Sequence, residues 1–277
     1  MTTDAASAAK AMYERYRRDD APAPAQWNAT LDLILGHRSH RAFLPGSLPA
    51  GAVETIVAAA QSASTSSNLQ VWSVVVVEDA ERKARLAKLC GNQQHVADCP
   101  AFFVWLCDLS RLDNMAKEKG RDAAALPYLE IFMTGVVDAA LAAQNACVAL
   151  ESLGLGCCYV GGLRNHPVDV AKELDLPPHV FGVFGMTVGR PDPAAGAAVK
   201  PRLGQGAVLH RERYAWNDAQ REAIATLDAK FTDFQKEQGL PEQGWVRQVL
   251  SRVRGVDAMS GRDRIREALA TLGFELR

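Results

Sequence analysis

Five polar residues in succession, His37-Arg38-Ser39-His40-Arg41, directly follow an amphipathic segment, and no hydrophobic core needs such a run. Arginines three positions apart, Arg38 and Arg41, can fork onto one phosphate where the backbone bends around it. The competing reading is a solvated helix end with cations beside its C-terminal dipole. A metal at His37 and His40 is the weaker case, because no carboxylate or thiolate lies nearby in the sequence to complete a site.

Three further segments carry functional groups at useful spacing. Ser64-Thr65-Ser66-Ser67-Asn68-Leu69-Gln70 is a row of short donors able to hold an acceptor-rich ring or a phosphate edge, or simply to end a helix. Tyr159-Val160-Gly161-Gly162-Leu163-Arg164 contains paired glycines, which let backbone amides approach a ligand closely and equally suit a tight turn. In Lys200-Pro201-Arg202 the proline fixes the backbone and spaces two cations for two points on one anion, with a solvated loop as the alternative. No G-x-G-x-x-G follows the first strand and no Walker loop is present, so neither a Rossmann dinucleotide site nor an ATPase is supported. A serine-hydrolase elbow and an H-E-x-x-H zinc helix are also missing.

The elements that must position these groups follow from periodicity and punctuation. Apolar Val53, Ile56, Val57 and Ala60 share a helical face that ends at Ser64–Ser67. Trp72–Val77 is a β-branched strand, and Asp79 caps the helix after it. Ala101–Cys107 is a second strand. A long helix from about Ile131 to Leu153 stops at Gly154, and a strand from Gly156 to Leu163 runs into the Gly-Gly turn. Pro167 opens another helix, and Val180–Val188 is a strand. Beyond Trp216 the chain is charged and helical, with Arg221–Gln238, Glu242–Val253 and Arg262–Leu272 as three candidates. Residues 1–26, ending in the Pro-Ala stretch, are expected to form an arm. Residues 27–277 are expected to form one domain with a helical C-terminal excursion from about 216. Alternating strands and helices by themselves suggest a parallel, doubly wound sheet.

Composition limits the function classes. The 277 residues hold 31 Lys+Arg against 32 Asp+Glu, so no overall basic field recruits nucleic acid or an anionic membrane. The hydrophobic content of 48% supplies a large core without staples. Six cysteines form no Cys-x-x-Cys and sit mostly in apolar runs, as reduced packing residues of a cytoplasmic protein do. The N-terminus lacks the apolar core of a signal peptide. The longest apolar region, Ile131–Leu150, is interrupted by Asp138, Gln144 and Asn145 and reads as a buried helix, not a membrane span.

Taken in order, several motifs together resemble the nitroreductase family, in particular its oxygen-insensitive nitroreductase and flavin reductase group. They are His37–Arg41, Ser64–Gln70, Gly91-Asn-Gln-Gln-His95, Gly135-Val-Val-Asp138, Ala143-Gln-Asn145, Glu151–Gly156, Tyr159–Asn165 and Lys200–Arg202. The resemblance implies an α+β fold, a nitroreductase-like FMN-binding fold with a mixed, largely antiparallel central sheet flanked by helices, in an interlocked homodimer. It implies non-covalent FMN, with His37, Arg38, Ser39 and Arg41 at the phosphate and ribityl end beside His40. Lys200, Pro201 and Arg202 join them. Thr65 and Gln93 are implied to contact the flavin or its chain, and the Tyr159, Val160, Gly161 and Gly162 backbone to run beside the ring and its N5 edge. Ser66, Ser67 and Gln70 are further candidates.

The implied activity is a ping-pong transfer of hydride from NADPH or NADH through the flavin to nitroaromatics, quinones or related small acceptors, with no side chain acting as acid, base or nucleophile. Family members that prefer NADPH place paired arginines before the last helices. The corresponding stretch here, Glu237–Trp245, has two acids and no arginine before Arg247, so both donors stay open. The alternatives are a flavin-binding sensor without turnover and a same-fold dehalogenase or flavin-fragmenting enzyme.

Overall fold

The structure is a computed structural model and describes residues 5–18, 21 and 26–277. Along the chain run α1 (Ala5–Tyr16), α2 (Ala29–Leu35), α3 (Ala52–Gln61), β1 (Trp72–Val77), α4 (Ala80–Leu89), α5 (Gln94–Asp98), β2 (Ala101–Asp108), α6 (Ser110–Glu118), α7 (Leu129–Ser152), β3 (Gly156–Val160), α8 (Pro167–Glu173), β4 (Val180–Gly189), α9 (Asp218–Glu237), α10 (Gly244–Arg252) and α11 (Ile265–Thr271). The chain divides into two compact units. One comprises Met1–Arg38 with Ala197–Met259, the other Ser39–Gly196 with Ser260–Arg277.

The larger unit is built on a four-stranded sheet of order β1-β2-β4-β3. Strand β2 is central and buried at every position. Its alternate side chains feed two cores, as the two-residue period of a strand requires. Ala101, Phe103, Trp105 and Cys107 face α7 and α3, whereas Phe102, Val104 and Leu106 join Leu86, Val96, Leu163 and Val170 on the other side. Fully burying one large apolar side chain contributes about 1.5–3 kcal/mol, and Trp105, Phe102 and Phe103 are all completely enclosed. Register shifts between Trp105 and Leu106, which leaves Val183 without a partner and keeps both Val183 and Met186 in the same core.

Among the described residues every strand pairing is antiparallel. The doubly wound arrangement suggested by alternation alone is therefore corrected, and the "mixed" sheet implied by the resemblance is here its antiparallel part. Alternation fails because the helices between strands carry the chain to a non-adjacent or reversed position as readily as to a parallel one.

Local signals explain most boundaries. Asp79 Oδ1 accepts the Arg82 amide at 2.7 Å and starts α4. Gly154, with φ 73°, follows the end of α7. Pro167 occupies the first turn of α8. The strand expected to reach Leu163 stops at Val160, and Gly161–Asn165 forms a 3₁₀ turn. The Arg262–Leu272 candidate is a 3₁₀ turn, Arg262–Arg264, followed by α11. Helices α5 and α6 were not expected.

α7 is the one helix among the described residues long and apolar enough to cross a membrane by length and composition. Eight of its residues are buried, and it packs on α3, β1, β2 and β3 as a core helix. The C-terminus closes over the same core: Phe274 packs edge-on to Phe132 at 5.2 Å, and the Arg277 amide donates to the Pro127 carbonyl at 3.0 Å.

In the smaller unit the segment expected to be an arm begins with α1, which packs on α2. The Pro-Ala stretch at 22–25 lies outside the described residues. Asn28 caps α2 through the Leu31 amide at 3.0 Å. α9 starts with a capping box in which Asn217 and Gln220 exchange hydrogen bonds, and its Leu227, Phe231 and Phe234 form this unit's core.

Candidate cofactor-binding site

In the smaller unit, the two basic segments read from the sequence are tied together by a residue that was not. Arg15, on α1, is only 7% exposed. Its Nη2 donates to the carbonyls of Leu35 at 2.6 Å and His37 at 3.0 Å, and its Nη1 to the Lys200 carbonyl at 3.1 Å. In return, the Arg202 amide donates to the Arg15 carbonyl at 3.0 Å. His37 and Lys200 are half-buried, Pro201 is buried, and Arg38 and Arg202 are exposed. The Arg202 guanidinium lies 3.3 Å from the Lys200 carbonyl and 3.4 Å from that of Pro201. The signal for Arg15 was present in the sequence: Ala8, Met12 and Arg15 fall on one helical face, and all three are buried.

In the larger unit, Ser39 and His40 are half-buried and Arg41 is exposed. The His40 amide donates to the Cys157 carbonyl at 2.8 Å, and its ring lies where a side chain on Gly156 would have to go. His40 thus packs against β3. Burial, with the charge of Arg41, holds the His95 imidazole below its ordinary pKa, which places Arg41 within electrostatic reach of the Gly91–His95 segment. The His95 Nε2 atom is buried with no hydrogen-bond partner among the described residues.

Gln93 is half-buried and donates to the Cys90 carbonyl at 2.7 Å. A Cβ on Gly162 would collide with that carbonyl and with Gln93 Nε2, so Gly162 and Gln93 sit against each other only because Gly162 is bare. Gly161 is different: a Cβ there would meet only the Arg164 guanidinium, at 3.5 Å. Arg164 itself donates to the Val183 carbonyl, and its pKa is lowered by burial and by the charge of Arg262. The Tyr159 ring tilts against Phe184 at 5.3 Å between centroids, Val160 is buried, and burial raises the Tyr159 phenol pKa.

The Ser64–Gln70 segment is a strained loop. Ser67, Asn68 and Gln70 have φ of 49°, 55° and 52°, a region that costs a side-chain-bearing residue about 1–2 kcal/mol. Thr65 is half-buried, whereas Ser66, Ser67 and Gln70 are exposed. The loop is held from both sides. Asp138, 1% exposed in the middle of α7, accepts the Ser66 amide at 3.2 Å and the Val71 amide at 3.4 Å. Arg111 donates to the Gln70 carbonyl at 2.7 Å and the Ser73 hydroxyl at 2.8 Å. Asp138 and Arg111 are supporting residues that motif spacing did not assign.

Residues 34–190 match the model of the nitroreductase family, and residues 200–277 match the nitroreductase family C-terminal domain. The chain belongs to the nitroreductase family. Among its relatives is a protein of Bacillus subtilis named FMN reductase (NADPH), 42% identical over 228 residues, which span 81% of this chain and 91% of that protein. The oxygen-insensitive NADPH nitroreductase of Salmonella typhimurium is 37% identical over 205 residues, 74% of this chain and 82% of the relative. A solved nitroreductase structure from B. subtilis superimposes with a TM-score of 0.82 at 40% identity, covering 89% of this chain and 99% of the other. The nitroreductase fold implied by the motif order is therefore the fold of this chain.

Proposed function

We propose that this nitroreductase-family protein is an FMN-dependent oxidoreductase that takes two electrons from NADPH or NADH and passes them to small acceptors such as nitroaromatics and quinones. The names of the Bacillus and Salmonella relatives support the donor, the flavin and the acceptor class. The observation that carries the reading is the Ser64–Gln70 loop. Three left-handed side-chain-bearing residues within four positions, anchored by a buried carboxylate, expose the Ser66 and Ser67 hydroxyls and the Gln70 amide on a constrained backbone. Such strain persists where a binding site requires it.

The residues present fit FMN. Arg38, Arg41, Lys200 and Arg202 suit a dianionic phosphate, with His37, Ser39, His40 and Pro201 shaping their segments. Thr65, Ser66, Ser67, Gln70 and Gln93 supply hydroxyls and amides for the polar edge of the ring. The Tyr159–Gly162 backbone offers close approach, since Gly161 is bare and its nearest neighbour on the side-chain side is the flexible tip of Arg164 at 3.5 Å. His95 Nε2, two residues along the chain from Gln93 and unpartnered among the described residues, is a buried polar atom of the kind a ligand satisfies.

Bound FMN would supply the hydride chemistry. The chain would bind and orient: its cations would fix the phosphate, and the bare Gly161 would let main-chain groups approach the ring.

A homodimer fits the same reading. On α7, Leu129, Met133, Val137 and Leu141 recur every fourth residue and are 44%, 52%, 53% and 43% exposed, an apolar stripe suited to a second copy. All six cysteines are buried and none is in a disulfide, which suits the cytoplasm.

The test is the absorbance spectrum of the purified protein, followed by anaerobic titration with NADPH and NADH and steady-state turnover with nitrofurazone and benzoquinone. A flavin spectrum that bleaches with donor and returns with acceptor is expected. A colourless protein that does not take up micromolar FMN would overturn the proposal.

A further inference from the structure

We infer that Arg15, on the N-terminal helix α1, is a positioning residue for the phosphate end of the flavin. The inference rests on the proposal that His37, Arg38, Lys200 and Arg202 serve that end.

Three features of the geometry carry it. First, the acceptors of Arg15 lie 20, 22 and 185 positions away along the chain, so one side chain on α1 joins the Leu35–His37 segment to the distant Lys200 segment. Second, the contacts are to main-chain carbonyls, and the return bond runs from the Arg202 amide to the Arg15 carbonyl. The clamp therefore sets where the basic segments run and does not rely on their side chains. Third, the clamp is fixed from behind. Ala8 and Met12 bury the same face of α1, and Arg17 pairs with Glu237 at 2.8 Å and lies over the Phe234 ring at 5.8 Å.

The planar, multiply donating guanidinium matches this task and a lysine does not, because an ammonium cannot fork to carbonyls on both sides in one plane. Charge-assisted hydrogen bonds that are also buried are the strong kind, and losing the donor removes three of them at once. Loss of the clamp frees the His37–Arg38 and Lys200–Arg202 segments from each other. The part of the cofactor that should notice is the phosphate.

FMN and riboflavin differ only in that group, so they separate positioning from general stability. Flavin-stripped full-length protein is titrated with each ligand, following flavin fluorescence, for the wild type, Arg15→Met and Arg15→Lys. We expect the wild type to favour FMN strongly, and Arg15→Met to weaken FMN by about tenfold or more while riboflavin binding changes little. Arg15→Lys should fall between them. An unchanged FMN-to-riboflavin ratio in Arg15→Met, or equal loss of both ligands, overturns the inference. Circular dichroism and thermal melting accompany the titration. Should Arg15→Met not fold, the ratio in Arg15→Lys decides, and wild-type discrimination there counts against Arg15. A wild type that binds neither flavin defeats the cofactor proposal itself, which is a different result.

Discussion

Asp138 Oδ1 lies 3.2 Å from the backbone nitrogen of Ser66, and through this bond a carboxylate buried in the middle of α7 fixes a loop in which Ser66, Ser67 and Gln70 are exposed. The other carboxylate oxygen takes the Val71 amide at 3.4 Å, just before β1. Replacing Asp138 with Ala leaves both amides without this acceptor, at about 1–3 kcal/mol for each buried group that stays unsatisfied. Asp138→Ala is expected to melt at lower temperature and to release FMN faster, because the left-handed loop relaxes. Thermal denaturation and flavin retention on gel filtration check both. A variant as stable as the wild type and equally yellow contradicts the role given to the loop.

Acid sensitivity has an identifiable contributor far from the loop. Glu173 on α8 receives three hydrogen-bond contacts from the Arg85 guanidinium on α4, at 2.9–3.1 Å. The hydrogen bond from Arg85 holds the Glu173 carboxyl below its ordinary pKa. A carboxyl depressed in the folded state stabilises fully above its unfolded pKa, about 4.3, and that contribution fades as pH falls through the folded value. Glu173→Gln should therefore lower the melting temperature near pH 7 and narrow its gap to the wild type below about pH 4. A gap that does not depend on pH argues against this linkage.

Much of this architecture was legible because individual residues carry unambiguous physical signals. Asp79, Gly154 and Pro167 mark helix ends by capping, left-handed freedom and a fixed φ, and each boundary lies where that chemistry puts it. The β-branched and aromatic runs at Trp72–Val77 and Ala101–Cys107 are strands because only extended backbone lets them feed two cores. Family order supplied the antiparallel sheet, which alternation misjudges. Other features depend on contacts between distant residues. Asp138 reads in sequence as an interruption of an apolar helix and as the end of a family motif with no assigned role, and its two amide donors lie 72 and 67 positions away. Arg15 sits in a segment dominated by alanine and charge, ahead of prolines, where composition suggests an arm. The spacing of Ala8, Met12 and Arg15 shows the buried face, but which distant groups Asp138 and Arg15 hold is set by the fold.

The exposed stripe on α7 leads to an assembly prediction. Val137 is 53% exposed between Met133 and Leu141, and burying a charge in an apolar interface is strongly unfavourable. Val137→Glu is expected to shift sedimentation velocity at micromolar concentration from a dimer to a monomer, with little effect on far-UV circular dichroism because the side chain projects away from the sheet-facing residues of α7. A wild type that sediments as a monomer, or a variant that stays dimeric, removes this face from the interface.

The two adjacent glycines should separate packing from ligand approach. At Gly162 a methyl group meets the Cys90 carbonyl, which is backbone and cannot swing aside, so Gly162→Ala should cost about 1–3 kcal/mol of folding stability through displaced backbone. At Gly161 the nearest atom to a new methyl is the tip of Arg164 at ordinary contact distance, so Gly161→Ala should leave stability within about 0.5 kcal/mol of the wild type. The methyl would nevertheless stand where the flavin edge is proposed to approach the bare backbone. Gly161→Ala is thus expected to fold normally yet bind FMN more weakly or turn over more slowly, measured by flavin titration and by kcat with benzoquinone. Gly162→Ala should lose stability first, with flavin binding falling only as the fold does. Were Gly161→Ala to keep full flavin affinity and turnover, the Gly161 backbone would not lie beside the cofactor.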